Sequence, residues 1–342
     1  MTLVNCVILP HLHELEFHAL TVFVSETKTF RVYSAGRKGP NIVLLHGGGY
    51  TSMTWCLVAA ILKENFTLRA FDLRGHGQTL TSHDDDLSIE RLVDDTIRIL
   101  NYLTPSTGPN TDDISDAEIP QTIIVGHSLG GAIAVRVAAT GKVPSLVGVM
   151  VIDVVEGTAM ASLKHMGTIL ERRPSRFCSY KDAIHWALQS GTGRNSEAVE
   201  VSIPSQLEQL GDGSLVWKTD LASTSKYWHD WFIGLSKQFL SLKQAKVLVL
   251  AGSDRLDTEL MRGQMMGKFE MRLIYSSGHA IQEDCPHEVA KAISCLSSRC
   301  VRANYKSPIN DLALAERLAK ARAMVPTEGI CSAVDLQKLL PK

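Results

Sequence analysis

The chain has 342 residues, a length that fits one large α/β unit or about two domains. Lys and Arg total 35 against 36 Asp and Glu, and the net charge of −1 excludes a basic nucleic-acid footprint spread over the whole chain. Hydrophobic residues make up 45%, enough for a sizeable core, yet no apolar run approaches the roughly 18 residues of a bilayer-crossing helix.

Short apolar runs alternate with amphipathic stretches along the chain. Val22–Val24 and Thr29–Tyr33 read as opening strands, and Asn41–Leu45 as a buried strand running into His46-Gly47-Gly48-Gly49. A helix follows over Met53–Lys63, then a strand over Thr67–Phe71 and the loop Asp72-Leu73-Arg74-Gly75-His76-Gly77. Ser88 caps a helix predicted to Leu103, and the Pro-, Thr- and Asp-rich stretch Thr104–Pro120 reads as a loop. Thr122–Val125 is a strand, 126–130 a turn, Gly131–Thr140 a helix and Leu146–Ile152 a strand. From Glu156 to Leu242 the alternation stops and helical patterns dominate. Strands return at Lys246–Leu250 and Met271–Tyr275, with a helix over Pro286–Leu296 and a helical period over Asn310–Met324.

Strands alternating with helices predict an α/β fold with a mostly parallel central sheet and helices on both faces. The expected division is a core over 22–155 and 243–300, a helical lid insertion over 156–242, and terminal extensions over 1–21 and 301–342 without an assigned role. Seven cysteines at 6, 56, 178, 285, 295, 300 and 331 form an odd set without paired spacing, so neither a disulfide framework nor a zinc site is expected. The first fifteen residues lack the basic start of a signal peptide. The expected location is cytoplasmic or nuclear.

Gly126-His127-Ser128-Leu129-Gly130 has the G-x-S-x-G form between an apolar strand and a small-residue helix. The motif is short enough to arise by chance, but the strand before and helix after are what a nucleophile elbow requires. Acyl transfer also needs N–H donors for the tetrahedral oxyanion. Leu129, after the serine, offers one, and either Gly48 or Gly49 offers the other. A serine hydroxyl needs a base oriented by a carboxylate. His279, in Ser276-Ser277-Gly278-His279 just past a strand, fits the base; His127 and His76 read as structural or pocket-lining. Two aspartates compete for the acid: Asp153, after the strand that follows the nucleophile, and Asp254, in Gly252-Ser253-Asp254-Arg255. Both keep the order serine, acid, histidine, and pattern alone slightly favours Asp254. Asp72 precedes the serine and is expected to hold its own loop by hydrogen bonds, and Glu156 reads as a lid or pocket residue.

These motifs resemble the α/β-hydrolase superfamily and, within it, the protein phosphatase methylesterases. The stretches that carry the likeness include HGGGYTSMTW at 46–55, GHSLGGAIAV at 126–135, VIDVVEGTAM at 151–160, KYWHDWFIGLS at 226–236, AGSDRLD at 251–257, GQMMGKF at 263–269 and GHAIQED at 278–284. The resemblance implies demethylation of the carboxymethylated C-terminal leucine of the protein phosphatase 2A catalytic subunit. It implies the triad Ser128, Asp153 and His279, moving the acid to Asp153, with no metal or organic cofactor. That phosphatase subunit is the implied partner, with neither nucleic acid nor membrane. Trp228, Trp231 and Phe232 suit an apolar C-terminal peptide, although lid-to-core packing explains them equally well. Two other readings remain: a module that binds the phosphatase, and a small-molecule esterase of the same fold.

Overall fold

The computed structural model describes residues 18–25, 28–103, 120–252 and 256–304. The predicted loop after Leu103, the helical period at 310–324 and the candidate acid Asp254 lie outside these. In chain order come β1 (His18–Ser25), β2 (Lys28–Ala35), β3 (Asn41–Leu45), a 3-10 turn (Ser52–Trp55), α1 (Cys56–Leu62), β4 (Thr67–Phe71) and β5 (Leu80–Thr81). Next are α2 (Ile89–Leu103), β6 (Thr122–His127), α3 (Leu129–Thr140) and β7 (Leu146–Ile152). The stretch after β7 holds α4 (Glu156–Glu171), β8 (Arg176–Phe177), α5 (Tyr180–Gln189), α6 (Ser196–Ser205), β9 (Leu207–Gln209), β10 (Leu215–Trp217), α7 (Ser225–Phe232) and α8 (Leu235–Ser241). β11 (Ala245–Leu250), α9 (Thr258–Met265), β12 (Glu270–Leu273), α10 (Ile281–Asp284) and α11 (Pro286–Asn304) complete the described chain.

One sheet of nine strands runs β1-β2-β4-β3-β6-β7-β11-β12, with β5 paired to β2. The ladders from β4 through β12 are parallel and those of β2 with β1, β4 and β5 antiparallel. Strand periodicity sorts the core into two layers. Val43 and Leu45, Ile124, Val149 and Val151, and Leu248 and Leu250 face the layer that includes α2, α3, α7 and α8. Their neighbours Ile42, Leu44, Ile123, Val125, Met150, Ile152, Val247 and Val249 face α1 and α11. Burial on both faces explains why these strands read as unbroken apolar runs rather than as alternation.

Three expectations change. β1 starts at His18, inside the expected extension, because its pairing with β2 extends to His18 opposite Ser34. The last helix runs past Leu296, with Cys300 buried on the face that already holds Leu296. The stretch after β7 is not wholly helical, since β8, β10 and β9 form a small antiparallel sheet. Its hairpin turns at Leu210–Ser214, where Asp212 accepts hydrogen bonds from the Ser214 amide (3.0 Å) and hydroxyl (2.6 Å).

The loop after β4 is tied down by buried charge. The Asp72 carboxylate accepts from the Ser52 amide at 2.8 Å and the Gln78 amide at 2.9 Å, linking it to the 3-10 turn. Arg74 donates from Nε (2.8 Å) and from an Nη (2.6 Å) to Asp95 Oδ2 on α2, with both side chains almost completely buried. It also donates to the Thr81 hydroxyl and the His83 carbonyl. Removing one partner of such a pair strands a buried charge, so Asp95→Ala is expected to lower the unfolding free energy by about 3–5 kcal/mol. Equilibrium urea unfolding checks this; a loss below about 1 kcal/mol would show that the pair is not effectively desolvated.

Candidate active site

The end of β6 turns into α3 through a single residue in a left-handed conformation. Ser128 has φ 51° and ψ −119°, a region of of order 1–3 kcal/mol strain for a residue with a side chain. Surrounding packing enforces it. A Cβ on Gly126 would lie 2.1 Å from the Gly130 carbonyl oxygen, and one on Gly130 would lie 2.5 Å from the His46 and Leu45 carbonyl oxygens. Only glycine allows β6, α3 and the loop after β3 to meet this closely. The turn is latched by the Ser128 amide donating to the Ile152 carbonyl at 2.9 Å and by the Gly131 amide donating to the Ser128 carbonyl at 2.9 Å. The half-buried Ser128 side chain is thus held at the carboxyl edge of the sheet.

The neighbouring parallel strand leads into the candidate acid Asp153. Asp153 follows β7 directly, also at positive φ (51°), with its amide donating to the Val249 carbonyl at 2.8 Å. Its carboxylate is buried; Oδ1 accepts from the Ala251 amide at 3.2 Å, and Oδ2 accepts from His279 Nδ1 at 2.8 Å. A carboxylate can only accept, so this bond places the proton of a neutral His279 on Nδ1 and leaves Nε2 able to accept one. His279 is half-exposed, with side-chain accessibility of 49%. The Asp153 and His279 expectations therefore meet in space.

Two contacts that the sequence reading missed fix the His279 loop. His127, inside the elbow, donates from Nε2 to the His279 carbonyl at 2.9 Å, and the two rings lie 4.6 Å apart. Asp284 Oδ2 accepts from the Gly278 amide at 2.7 Å while Oδ1 accepts from the Arg194 amide at 3.0 Å. One carboxylate therefore joins the histidine loop to the stretch after β7. The signal for it was an acid five residues past the histidine, visible in GHAIQED but without a stated role.

The glycine loop is built on neutral imidazoles. His46 donates from Nδ1 to the Gly47 carbonyl and accepts the Leu73 amide at Nε2; His76 donates from Nδ1 to the Arg74 carbonyl and accepts the Gly49 amide at Nε2, at 2.9 Å. Burial lowers His46 to about 4 and His76 to about 3, and burial followed by the His279 charge lowers His127 to about 3. The Gly49 amide is committed to His76, whereas the Gly48 amide has no partner among the described residues and is the one left available near Leu129 at the first turn of α3.

Trp228, Trp231 and Phe232 are not displayed as a recognition surface. They are 7%, 3% and 5% exposed within the core layer of α2 and α3, and their spacing along α7 is that of a helix's buried face. The Trp228 indole N–H donates to the Thr224 hydroxyl and that of Trp231 to the Leu87 carbonyl. Trp231 alone approaches the loop, with a ring carbon 3.9 Å from where a Gly48 Cβ would stand. Glu156 is a strut: its two carboxylate oxygens accept from the Gly234 and Ser236 amides at 2.8 and 3.0 Å, capping α8.

Comparison with known proteins agrees with this geometry. Residues 42–292 match the model of the alpha/beta hydrolase family. The chain is 38% identical to a mouse protein named protein phosphatase methylesterase 1, covering 82% of this chain and 81% of the relative. It is 43% identical to a probable protein phosphatase methylesterase 1 of Caenorhabditis elegans, covering 79% and 72%. Among solved structures, E-2-(acetamidomethylene)succinate hydrolase superposes with a TM-score of 0.68 at 19% identity over 83% of this chain and 100% of that one, a likeness of fold. The chain therefore belongs to the protein phosphatase methylesterases of the alpha/beta hydrolase family and is a carboxylic ester hydrolase.

Proposed function

We propose that the chain removes the methyl ester from the C-terminal leucine of the protein phosphatase 2A catalytic subunit through Ser128, His279 and Asp153. The observation that carries the reading is the 2.8 Å bond from His279 Nδ1 to the buried Asp153 carboxylate, beside a serine held at positive φ. The names of the relatives support a phosphatase ester as substrate.

His279 Nε2 takes the Ser128 proton as Oγ attacks the ester carbonyl, and Asp153 holds the tautomer and stabilises the imidazolium that forms. The Gly48 and Leu129 amides receive the oxyanion, where each donor is worth about 3–4 kcal/mol. The proton passes to the methoxide, methanol leaves, and an acyl-serine remains. Water, deprotonated by the same imidazole, then attacks the acyl carbon; Ser128 recovers its proton and the leucine carboxylate is released. Every one of these groups acts from a strand end or the loop beside it.

The test is hydrolysis of carboxymethylated protein phosphatase 2A catalytic subunit. Ser128→Ala is expected to abolish activity and Asp153→Asn to lower kcat by about 10⁴. Wild-type protein that cleaves simple esters but leaves this methyl ester intact would sink the substrate assignment. Asp284→Ala, which frees the histidine loop without touching the reacting groups, is expected to lower kcat by up to about a hundredfold with KM little changed. An unaltered kcat would mean that the Asp153 and His127 bonds position His279 without the Asp284 link.

A further inference from the structure

The stretch after β7 reaches back over the glycine loop between β10 and α7. There the Thr219 hydroxyl donates to the Gly75 carbonyl at 2.8 Å, fastening the chain to the loop whose His76 accepts the Gly49 amide. Two residues on, the Leu221 carbonyl accepts from the Thr224 amide at 3.1 Å and from the Thr224 hydroxyl at 2.7 Å. The Trp228 indole N–H donates to that same hydroxyl at 2.9 Å. Leu221 is therefore anchored on both sides.

Its side chain ends on the glycines. A Cβ on Gly49 would lie 2.7 Å from Leu221 Cδ1. One on Gly48 would lie 3.5 Å from Leu221 Cδ2, 3.8 Å from Leu129 Cδ2 and 3.9 Å from Trp231 Cζ3. At the other end of the same loop, a Cβ on Gly47 would lie 3.2 Å from Ser128 Cβ. The three glycines thus run from the serine to Leu221. Of the three apolar side chains that converge on Gly48, Leu129 and Trp231 are 1% and 3% exposed, whereas Leu221 is half-buried. Leu221 presents the accessible part of that wall.

An oxyanion seated about 3 Å from the Gly48 nitrogen brings its carbon within reach of a side chain that touches Gly48. Of the other bonds at that carbon, one goes to Ser128 Oγ and one to the methoxide, which faces His279 Nε2 to take its proton. The remaining bond, to the acyl chain, is free to run along the glycine loop. The Leu221 side chain has no hydrogen bond to offer there, so it discriminates by shape and by the apolar area it covers.

We propose that Leu221 is a specificity-determining residue that bounds an apolar subsite for the side chain of the esterified C-terminal residue. A smaller residue at 221 widens this subsite and a bulkier one narrows it. The inference rests on the methylesterase reading above and deepens it by naming the group that measures the acyl side chain.

The experiment uses the full chain and short peptide methyl esters of one sequence that end in Ala, Leu or Phe, with p-nitrophenyl acetate as an ester without such a side chain. Wild type is expected to favour the Leu ester over the Ala ester by about ten- to a hundredfold in kcat/KM. Leu221→Ala should raise the Phe-to-Leu ratio by about tenfold, and Leu221→Phe should raise the Ala-to-Leu ratio by about the same factor. Loss of a merely structural contact would lower turnover of all esters together and leave both ratios at their wild-type values. Thermal melting followed by circular dichroism identifies a variant that does not fold, and the other variant then carries the test. The proposal is overturned if wild type cleaves the Leu and Ala esters equally well, or if a folded variant leaves its ratio unmoved; the methylesterase reading survives either result. If wild type cleaves p-nitrophenyl acetate but none of the peptide esters, the methylesterase reading fails and takes this one with it.

Discussion

The close meeting of β6, α3 and the loop after β3 is the constraint on which the rest depends. With the Gly130 carbonyl 2.1 Å from where a Gly126 Cβ would stand, the backbone has no room for side chains at either position. That crowding forces Ser128 to positive φ and points it away from the sheet. The same approach brings Leu129 near the glycine loop, so the proposed nucleophile and oxyanion donors come from one packing event. The strain at Ser128 is carried by ladder bonds on both sides, including the Ser128 amide to the Ile152 carbonyl. Because β6 and β7 are parallel neighbours, that bond also aligns Asp153 with the serine.

Around this rigid centre the stretch after β7 is fastened at several points. Glu156 caps α8; Asp257 Oδ2 accepts from the Ser236 hydroxyl and the Gly157 amide, joining the starts of α4, α8 and α9. Asp284 bridges Arg194 to Gly278, and Asn195 donates to the Glu283 carbonyl at 3.0 Å. By contrast, α4 buries no residue fully; Ala159, Met160, Leu163, Met166 and Leu170 form a half-covered apolar stripe. The insertion is therefore tightly held at its ends and near His279, and loosely packed along α4.

Much of this was legible in the sequence, for physical reasons that differ from residue to residue. The elbow could be read because close backbone approach demands glycine at fixed offsets from the serine, and the sheet because strands buried on both faces are continuously apolar. The acid could not be chosen from pattern, since Asp153 and Asp254 both follow strand ends in the required order. A family likeness supplied the choice of Asp153, which meets His279 at 2.8 Å, while Asp254 lies outside the described residues. The claim of the glycines was equally invisible: that His76 takes the Gly49 amide depends on two loops 27 residues apart meeting in space. For the α7 aromatics residue type left recognition and lid-to-core packing both open, and their burial on the core face of α7 is the packing alternative. The hairpin at Leu210–Ser214 was passed over because its Asp-Gly turn sits between strands of only three residues.

Charge completes the account of why the site is stiff. His46 and His76 are neutral and each acts as one donor and one acceptor, while the neutral His127 donates once, from Nε2 to the His279 carbonyl. Protonating His76 at Nε2 would set a proton against the Gly49 amide and open the glycine loop. With folded values of about 4 and 3 against an ordinary 6.5, the unfolded chain takes up protons that the folded chain refuses. Their contribution to stability is whole above 6.5 and is lost as pH falls toward the folded values. Glu283 runs the other way. Burial raises it to about 7, so its contribution is whole below about 4.5 and declines as pH rises toward 7, with the Thr54 hydroxyl donating to it at 2.6 Å. Between about pH 4.5 and 6.5 one carboxyl opposes three imidazoles, so the imidazoles set the direction and acid loosens the loops around Ser128. His279 differs from these rings in being half-exposed, and only its partner, the Asp153 carboxylate that accepts its Nδ1–H at 2.8 Å, is buried.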